Sequence, residues 1–186
     1  MKKLALIAFL ALPALLAAAE GERSLKGVTM PVSMNVDGKT LALNGMGLRT
    51  KIVFKVYVAG LYLERVSSDG MAIAASEQVK LIDLAFLRSV DGADVAKAIA
   101  DGFANNAGDA LPVIKDRIAK FEKLIPDVKK GDSLSFLYRP GSGLEIAYNG
   151  KVRGSIEGKD FADALLRVWL GPKPSDKSLK TGLLGL

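Results

Sequence analysis

The sequence predicts an α+β fold, one large antiparallel sheet with helices gathered on one side of it. Three observations predict this. Segments of strand character come in two blocks separated by helix-period stretches, and a last helix follows the second block. Each block carries a two-residue hairpin signal, Asp37-Gly38 in the first and Asn149-Gly150 in the second. No repeat, linker or low-complexity stretch interrupts residues 20–186, a length that suits one domain with a proper core.

Residues 1–19 read as a signal peptide rather than as part of that domain. Met1-Lys2-Lys3 is a short positive start, Leu4 to Leu16 is an unbroken apolar run, and Ala17-Ala18-Ala19 offers small residues for cleavage before Glu20. The expectation is export into a periplasm. No cysteine stands at the cleavage site, so a lipid anchor there is excluded.

From Glu20 to Gly27 the chain is polar and reads as a frayed lead. Val28, Met30, Val32, Met34 and Val36 alternate with polar residues as one strand, which Asp37-Gly38 turns back into Lys39 to Leu43. Gly45 and Gly47, two glycines in three residues, predict a tight bend. Lys51 to Glu64 then reads as one long strand rich in β-branched and aromatic residues. Side chains alternate along a strand, so Arg49, Lys51, Val53, Lys55, Tyr57 and Ala59 are expected on one face. Ile52, Phe54, Val56, Val58 and Tyr62 are expected on the other, as core.

Ser67-Ser68-Asp69-Gly70 breaks this pattern, with Ser68 or Asp69 capping a short helix through Met71–Ala75. Val79 to Leu87 reads as a buried strand. A helix from Asp91 to about Asn106 follows, with Val95, Ile99 and Phe103 inward and Asp91 and Asp94 as cap and dipole partner. A second helix, about Ala110 to Leu124, accepts Pro112 in its first turn and ends at Pro126. Ser133 to Tyr138, Glu145 to Tyr148 and Lys151 to Ile156 are strands. Lys159 to Leu170 is a closing helix that turns Phe161, Leu165, Leu166 and Trp169 inward, and Ser175 to Leu186 adds a short helical turn.

Composition removes several chemistries. The chain has no cysteine and no histidine, which excludes disulfides, thiolate metal sites, histidine ligands and every Ser-His or Cys-His nucleophile. No metal site or cofactor is expected. The formal charge is +6, or about +4 once Lys2 and Lys3 leave with the signal. That mild excess suits anionic small ligands or, weakly, an anionic membrane surface. No nucleic-acid module is present. The basic segment from Lys115 to Lys130 is interleaved with Asp116, Glu122 and Asp127, the pattern of a solvated helix face.

Asn44-Gly-Met-Gly-Leu-Arg49 followed by Phe54-Lys-Val-Tyr-Val-Ala-Gly-Leu-Tyr-Leu-Glu64 resembles the core motif of the chalcone isomerase-like superfamily. The stretches 129–138, 144–156 and 161–185 are similar to it in the same order, and the resemblance spans about residues 27–186, in the manner of an exported bacterial branch. It implies a large antiparallel sheet under a layer of helices, an open-faced β-sandwich. It also implies one of two activities. The flavonoid isomerases of the superfamily cyclise chalcones, whereas other members bind fatty acids without catalysis.

Arg49 matches the arginine that assists the developing anion in the isomerases. Their catalytic threonine corresponds to Tyr57, and their tyrosine and asparagine pair falls near Val95 and Gly102, neither of which can donate a side-chain hydrogen bond. The fatty-acid binders, in contrast, are similar in holding the ligand carboxylate with an arginine and a tyrosine on these elements. The expected function is therefore that of an exported, non-catalytic binder of a small apolar carboxylate such as a fatty acid, with Arg49 and Tyr57 as ligand-binding residues. The alternatives are an isomerase or intramolecular lyase in which Arg49 and Tyr57 act on an unknown substrate, and a partner-binding domain without a ligand.

Overall fold

The computed structural model describes residues 21–186; the stretch read as a signal peptide lies outside them. Seven strands form one antiparallel sheet in chain order: β3 (Ser33–Val36), β4 (Lys39–Lys51), β5 (Phe54–Leu63), β6 (Lys80–Phe86), β7 (Ser133–Arg139), β8 (Gly143–Tyr148) and β9 (Lys151–Ile156). A separate hairpin pairs β1 (Glu22–Leu25) with β2 (Val28–Pro31). The helices are α1 (Gly70–Ala75), α2 (Gly92–Asn106), α3 (Leu111–Glu122), α4 (Lys159–Leu170) and α5 (Lys177–Leu183), with a 3-10 turn at Gly108–Ala110 before α3. The expected class holds: α+β, a large antiparallel sheet with helices layered on it.

The larger core lies between the helices and one sheet face. Phe103, Phe121 and Phe161, one from each of α2, α3 and α4, meet there with ring centroids 5.2 to 6.2 Å apart in edge and tilted arrangements. A smaller cluster on the opposite face contains Met30, Leu41, Leu43, Val58, Tyr62 and Leu81. The β1–β2 hairpin partly covers it, and the Tyr62 hydroxyl donates to the Pro31 carbonyl at 3.0 Å. The polar lead expected to fray is thus a strand, fixed by pairing rather than by burial. The single strand expected over Val28–Val36 is broken at Val32 into β2 and β3.

The central motif differs from the expectation in two ways. Gly45 and Gly47 make no bend; both lie inside the thirteen-residue β4. Their missing side chains answer to α5, which crosses the strand at backbone contact. A Cβ on Gly45 would stand 2.1 Å from the Gly182 carbonyl oxygen, and one on Gly47 2.5 Å from that of Leu179. The bend comes later, as a two-residue hairpin loop at Ile52-Val53 between Lys51 and Phe54. Arg49 therefore belongs to β4 and Tyr57 to β5, and they are cross-strand partners instead of neighbours on one strand. Ile52 and Phe54, expected as core, are exposed, and Lys51 and Lys55 are exposed beside them.

One bulge sets which way β4 points. Leu43 pairs with Tyr62 and Gly45 with Leu61, so Asn44 is an extra residue. Leu41 and Leu43 before it, and Met46 and Leu48 after it, face the smaller cluster, whereas Gly45, Gly47 and Arg49 face the helices. The Asn44 side chain holds the bulge by donating to the carbonyls of Ser67 and Leu183 and accepting from the Ser67 amide.

Candidate functional site

Three residues in a row across three strands make the floor of the site. Arg49 on β4 pairs with Tyr57 on β5, and Tyr57 pairs with Phe86 on β6. Partners across a strand pair share a face with their Cβ atoms roughly 5 Å apart, so the three side chains stand side by side under the helices. The Tyr57 and Phe86 rings meet edge to face with centroids 5.6 Å apart. A second bulge, with Val56 as the extra residue of β5, precedes Tyr57 and returns Phe54 and Lys51 to the same side.

Above this floor opens a cavity of about 410 Å³, within the range of small-molecule sites. Leu84, Phe86, Val95, Ile99, Val168 and Trp169 supply most of its apolar wall. Its polar groups are Arg49, Tyr57 and Ser175 from β4, β5 and the segment before α5, together with Lys51, Arg88, Ser89, Asp91 and Asp94. Among the described residues, no three carboxylates converge closely enough to hold a metal ion.

Hydrogen-bond direction at Tyr57 follows from chemistry. The indole N–H of Trp169 donates to the Tyr57 hydroxyl oxygen at 3.0 Å. Indole nitrogen can only donate, so the phenol accepts there and keeps its own proton for another partner. Burial raises the Tyr57 pKa, although the indole hydrogen bond and the nearby Arg49 charge favour the phenolate. Tyr57 is thus a neutral donor at ordinary pH. The Ser175 hydroxyl oxygen is buried at the same cavity and has no hydrogen-bond partner among the described residues.

Arg49 is held from behind. Its Nη1 donates to the Thr50 carbonyl at 2.7 Å and lies 3.4 Å from Asp176 Oδ2. Asp176 is the N-cap of α5, accepting from the Ser178 and Leu179 amides through one oxygen and from the Thr50 amide through the other. The guanidinium side chain is 21% exposed, and Nε and Nη2 have no acceptor among the described residues. One carboxylate therefore balances part of the charge while an edge with donors remains open.

Both expected ligand residues, Arg49 and Tyr57, line this cavity. Val95 lines it too, but Gly102 does not: a Cβ there would meet Val168 at 2.4 Å, which lets α2 cross close to α4. Asp91 occupies the N-cap position of α2 without a side-chain cap hydrogen bond among the described residues, and Asp127 accepts from the Gly92 amide of the first turn. Trp169, read only as core, and Ser175 and Arg88, not singled out at all, belong to the lining. Helical periodicity turned Trp169 inward, but no sequence signal separates a core position from a cavity wall. Arg88 and Ser175 sit in loops, where there is no periodicity to read.

Residues 22–185 match a family profile described as chalcone isomerase-like. No curated protein matches the chain by sequence. Among solved structures, a fatty-acid binding protein of Arabidopsis thaliana superposes with a TM-score of 0.73 over 88% of this chain and 96% of its own, at 16% identity.

Proposed function

As the chain belongs to the chalcone isomerase-like family, we propose that it is a non-catalytic binding protein for a small apolar carboxylate, with a fatty acid as the natural class. The observation that carries this is the convergence of Arg49, Tyr57 and Ser175 at one cavity whose remaining wall is largely apolar. A guanidinium edge beside a neutral phenol is a donor set for a carboxylate, and charge-assisted hydrogen bonds of this kind gain strength where water is scarce. The apolar wall suits an acyl chain. The Arabidopsis protein of the same fold is named for fatty-acid binding, which agrees.

Catalysis of the isomerase type is not favoured. It needs a base for the substrate phenol and donors that place the substrate. Tyr57, with its pKa raised by burial, is a poor base. Val95 and Gly102 stand at the positions where the resemblance would put two of the donors. The export and periplasmic location we propose, and membership of an exported bacterial branch with one domain over 20–186, rest on residues 1–19 and on the quoted motifs.

Trp169 is the only tryptophan and lies in the cavity wall, so its fluorescence reports occupancy directly. Titration with saturated fatty acids of increasing length should shift the emission saturably, and the corresponding fatty alcohols should bind much more weakly. Equal binding of acid and alcohol would remove the carboxylate from the proposal. Silence with every acid would remove the ligand class.

A further inference from the structure

The hairpin loop between β4 and β5 carries three consecutive large apolar side chains in water: Ile52 is 87% exposed, Val53 77% and Phe54 54%. The backbone makes this loop more unusual. Ile52 has a φ of 58°, a left-handed conformation that β-branched side chains resist. The other two-residue hairpin loops among the described residues, Lys26-Gly27, Asp37-Gly38 and Asn149-Gly150, have positive φ at both residues and place glycine second, whereas here the one positive φ falls on an isoleucine. Neither local folding nor packing accounts for Ile52-Val53 here.

The surroundings of the loop are cationic. Lys51 and Lys55 flank it, both exposed, and the Arg88 guanidinium lies 4.5 Å from the centroid of the Phe54 ring. None of these three cations forms an ion pair among the described residues. The acidic groups of the cavity, Asp91 and Asp94, belong to the α2 side of it. Lys51, Ile52 and Phe54 line the same cavity as Tyr57 and Trp169, so the exposed apolar tip is continuous with the binding cavity.

We propose that the Lys51–Lys55 tip docks the protein on anionic phospholipid membranes, the apolar side chains entering the headgroup boundary and the lysines and Arg88 meeting lipid phosphates. Apolar residues at the tip with unpaired cations around them match the two layers of such a surface in order of depth. Docked this way, the cavity mouth faces the bilayer, and an acyl ligand passes between membrane and cavity without crossing water. The purpose of docking rests on the ligand reading above; the docking itself does not.

The test is sedimentation of the chain 20–186 with vesicles of equal parts phosphatidylglycerol and phosphatidylcholine, against pure phosphatidylcholine. Two variants avoid the cavity lining and sit in solvent, Val53→Asp and Lys55→Glu. Wild type should sediment with the anionic vesicles and little with the neutral ones. Each variant should lower that affinity roughly tenfold or more, with unchanged thermal unfolding and unchanged decanoate binding by Trp169 fluorescence. Absence of vesicle binding by wild type, or variants that bind as wild type does, overturns the docking proposal. So does a wild-type dimer that Val53→Asp dissociates while vesicles have no effect, because the tip is then a contact between copies. Vesicle binding without decanoate binding would sink the ligand reading and leave the docking standing.

Discussion

Trp169 donates its indole N–H to the hydroxyl of Tyr57 at 3.0 Å, joining helix α4 to strand β5 across the inner wall of the cavity. The bond fixes the phenol's role as acceptor toward protein and donor toward whatever occupies the cavity. Tyr57→Phe therefore has two expected consequences. Loss of the acceptor leaves a buried indole N–H unpaired and costs about 1–3 kcal/mol of stability, read from denaturant midpoints. Fatty-acid affinity also falls, whereas fatty-alcohol affinity changes less.

Arg49→Ala is expected to weaken fatty-acid binding about 10- to 100-fold, corresponding to a charged hydrogen bond of about 1.5–3 kcal/mol. Arg49→Lys should recover only part of this, since an ammonium lacks the planar edge. Fluorescence titration of Trp169 measures both. An unchanged affinity in Arg49→Ala would show that the carboxylate docks elsewhere.

Gly47→Ala tests whether α5 supports the site from a distance. The added methyl would sit 2.5 Å from the Leu179 carbonyl oxygen, so α5 must shift, at a cost of about 1–3 kcal/mol as for other overpacked positions. Because α5 carries the Asp176 cap that holds Arg49 and Thr50, ligand affinity should fall as well, although Gly47 does not line the cavity. Affinity that stays fixed while stability drops would uncouple the helix from the site.

Asp83 lies on β6, on the sheet face away from the helices, between Leu81 and Ala85 of the smaller cluster. Burial pushes its pKa from 3.8 up to about 6. A carboxyl whose folded value exceeds its unfolded one favours folding when protonated. That contribution is complete below the unfolded value and is lost as pH rises through about 6. Asp83→Asn should remove this slope and raise stability near neutral pH by up to about 3 kcal/mol, measured by urea midpoints across the acid range.

Lys80 is fully buried and donates to the carbonyls of Ala74 and Ser76 at 2.7 and 2.8 Å, closing the C-terminal end of α1. Burial lowers its pKa to about 8 despite the Asp163 carboxylate 3.8 Å away. The folded state thus favours the neutral amine, and stability should increase as pH rises from about 8 toward the unfolded value of 10.5. Lys80→Ala leaves those carbonyls without a donor and opens a void. A loss of about 3 kcal/mol or more is expected in thermal or urea unfolding.

What could be read from the chain divides along physical lines. Asp37-Gly38 and Asn149-Gly150 were legible as turns because their own residues favour positive φ. Lys159–Leu170 was legible because amphipathic periodicity is local. The Ile52-Val53 loop was hidden, since isoleucine, valine and phenylalanine are strand formers and give no sign of a turn. Gly45 and Gly47 looked like a bend, whereas the constraint comes from α5, far along the chain. Arg49 and Tyr57 were expected on one face, and they are. They meet through strand pairing around a hidden loop, not through the spacing along one strand that suggested it.

Asn44 has a wider meaning than its place in β4 suggests. A strand ordinarily commits each side chain to one layer for its whole length, and no substitution can change that parity. The supernumerary residue lets Leu41 and Leu43 seal the outer cluster while Gly45, Gly47 and Arg49 serve the cleft, although regular alternation would put all five on one face. Length in this segment thus carries information that composition does not: Leu43 and Arg49 are six residues apart, a spacing that regular alternation would put on one face, and the extra residue sends them to opposite faces.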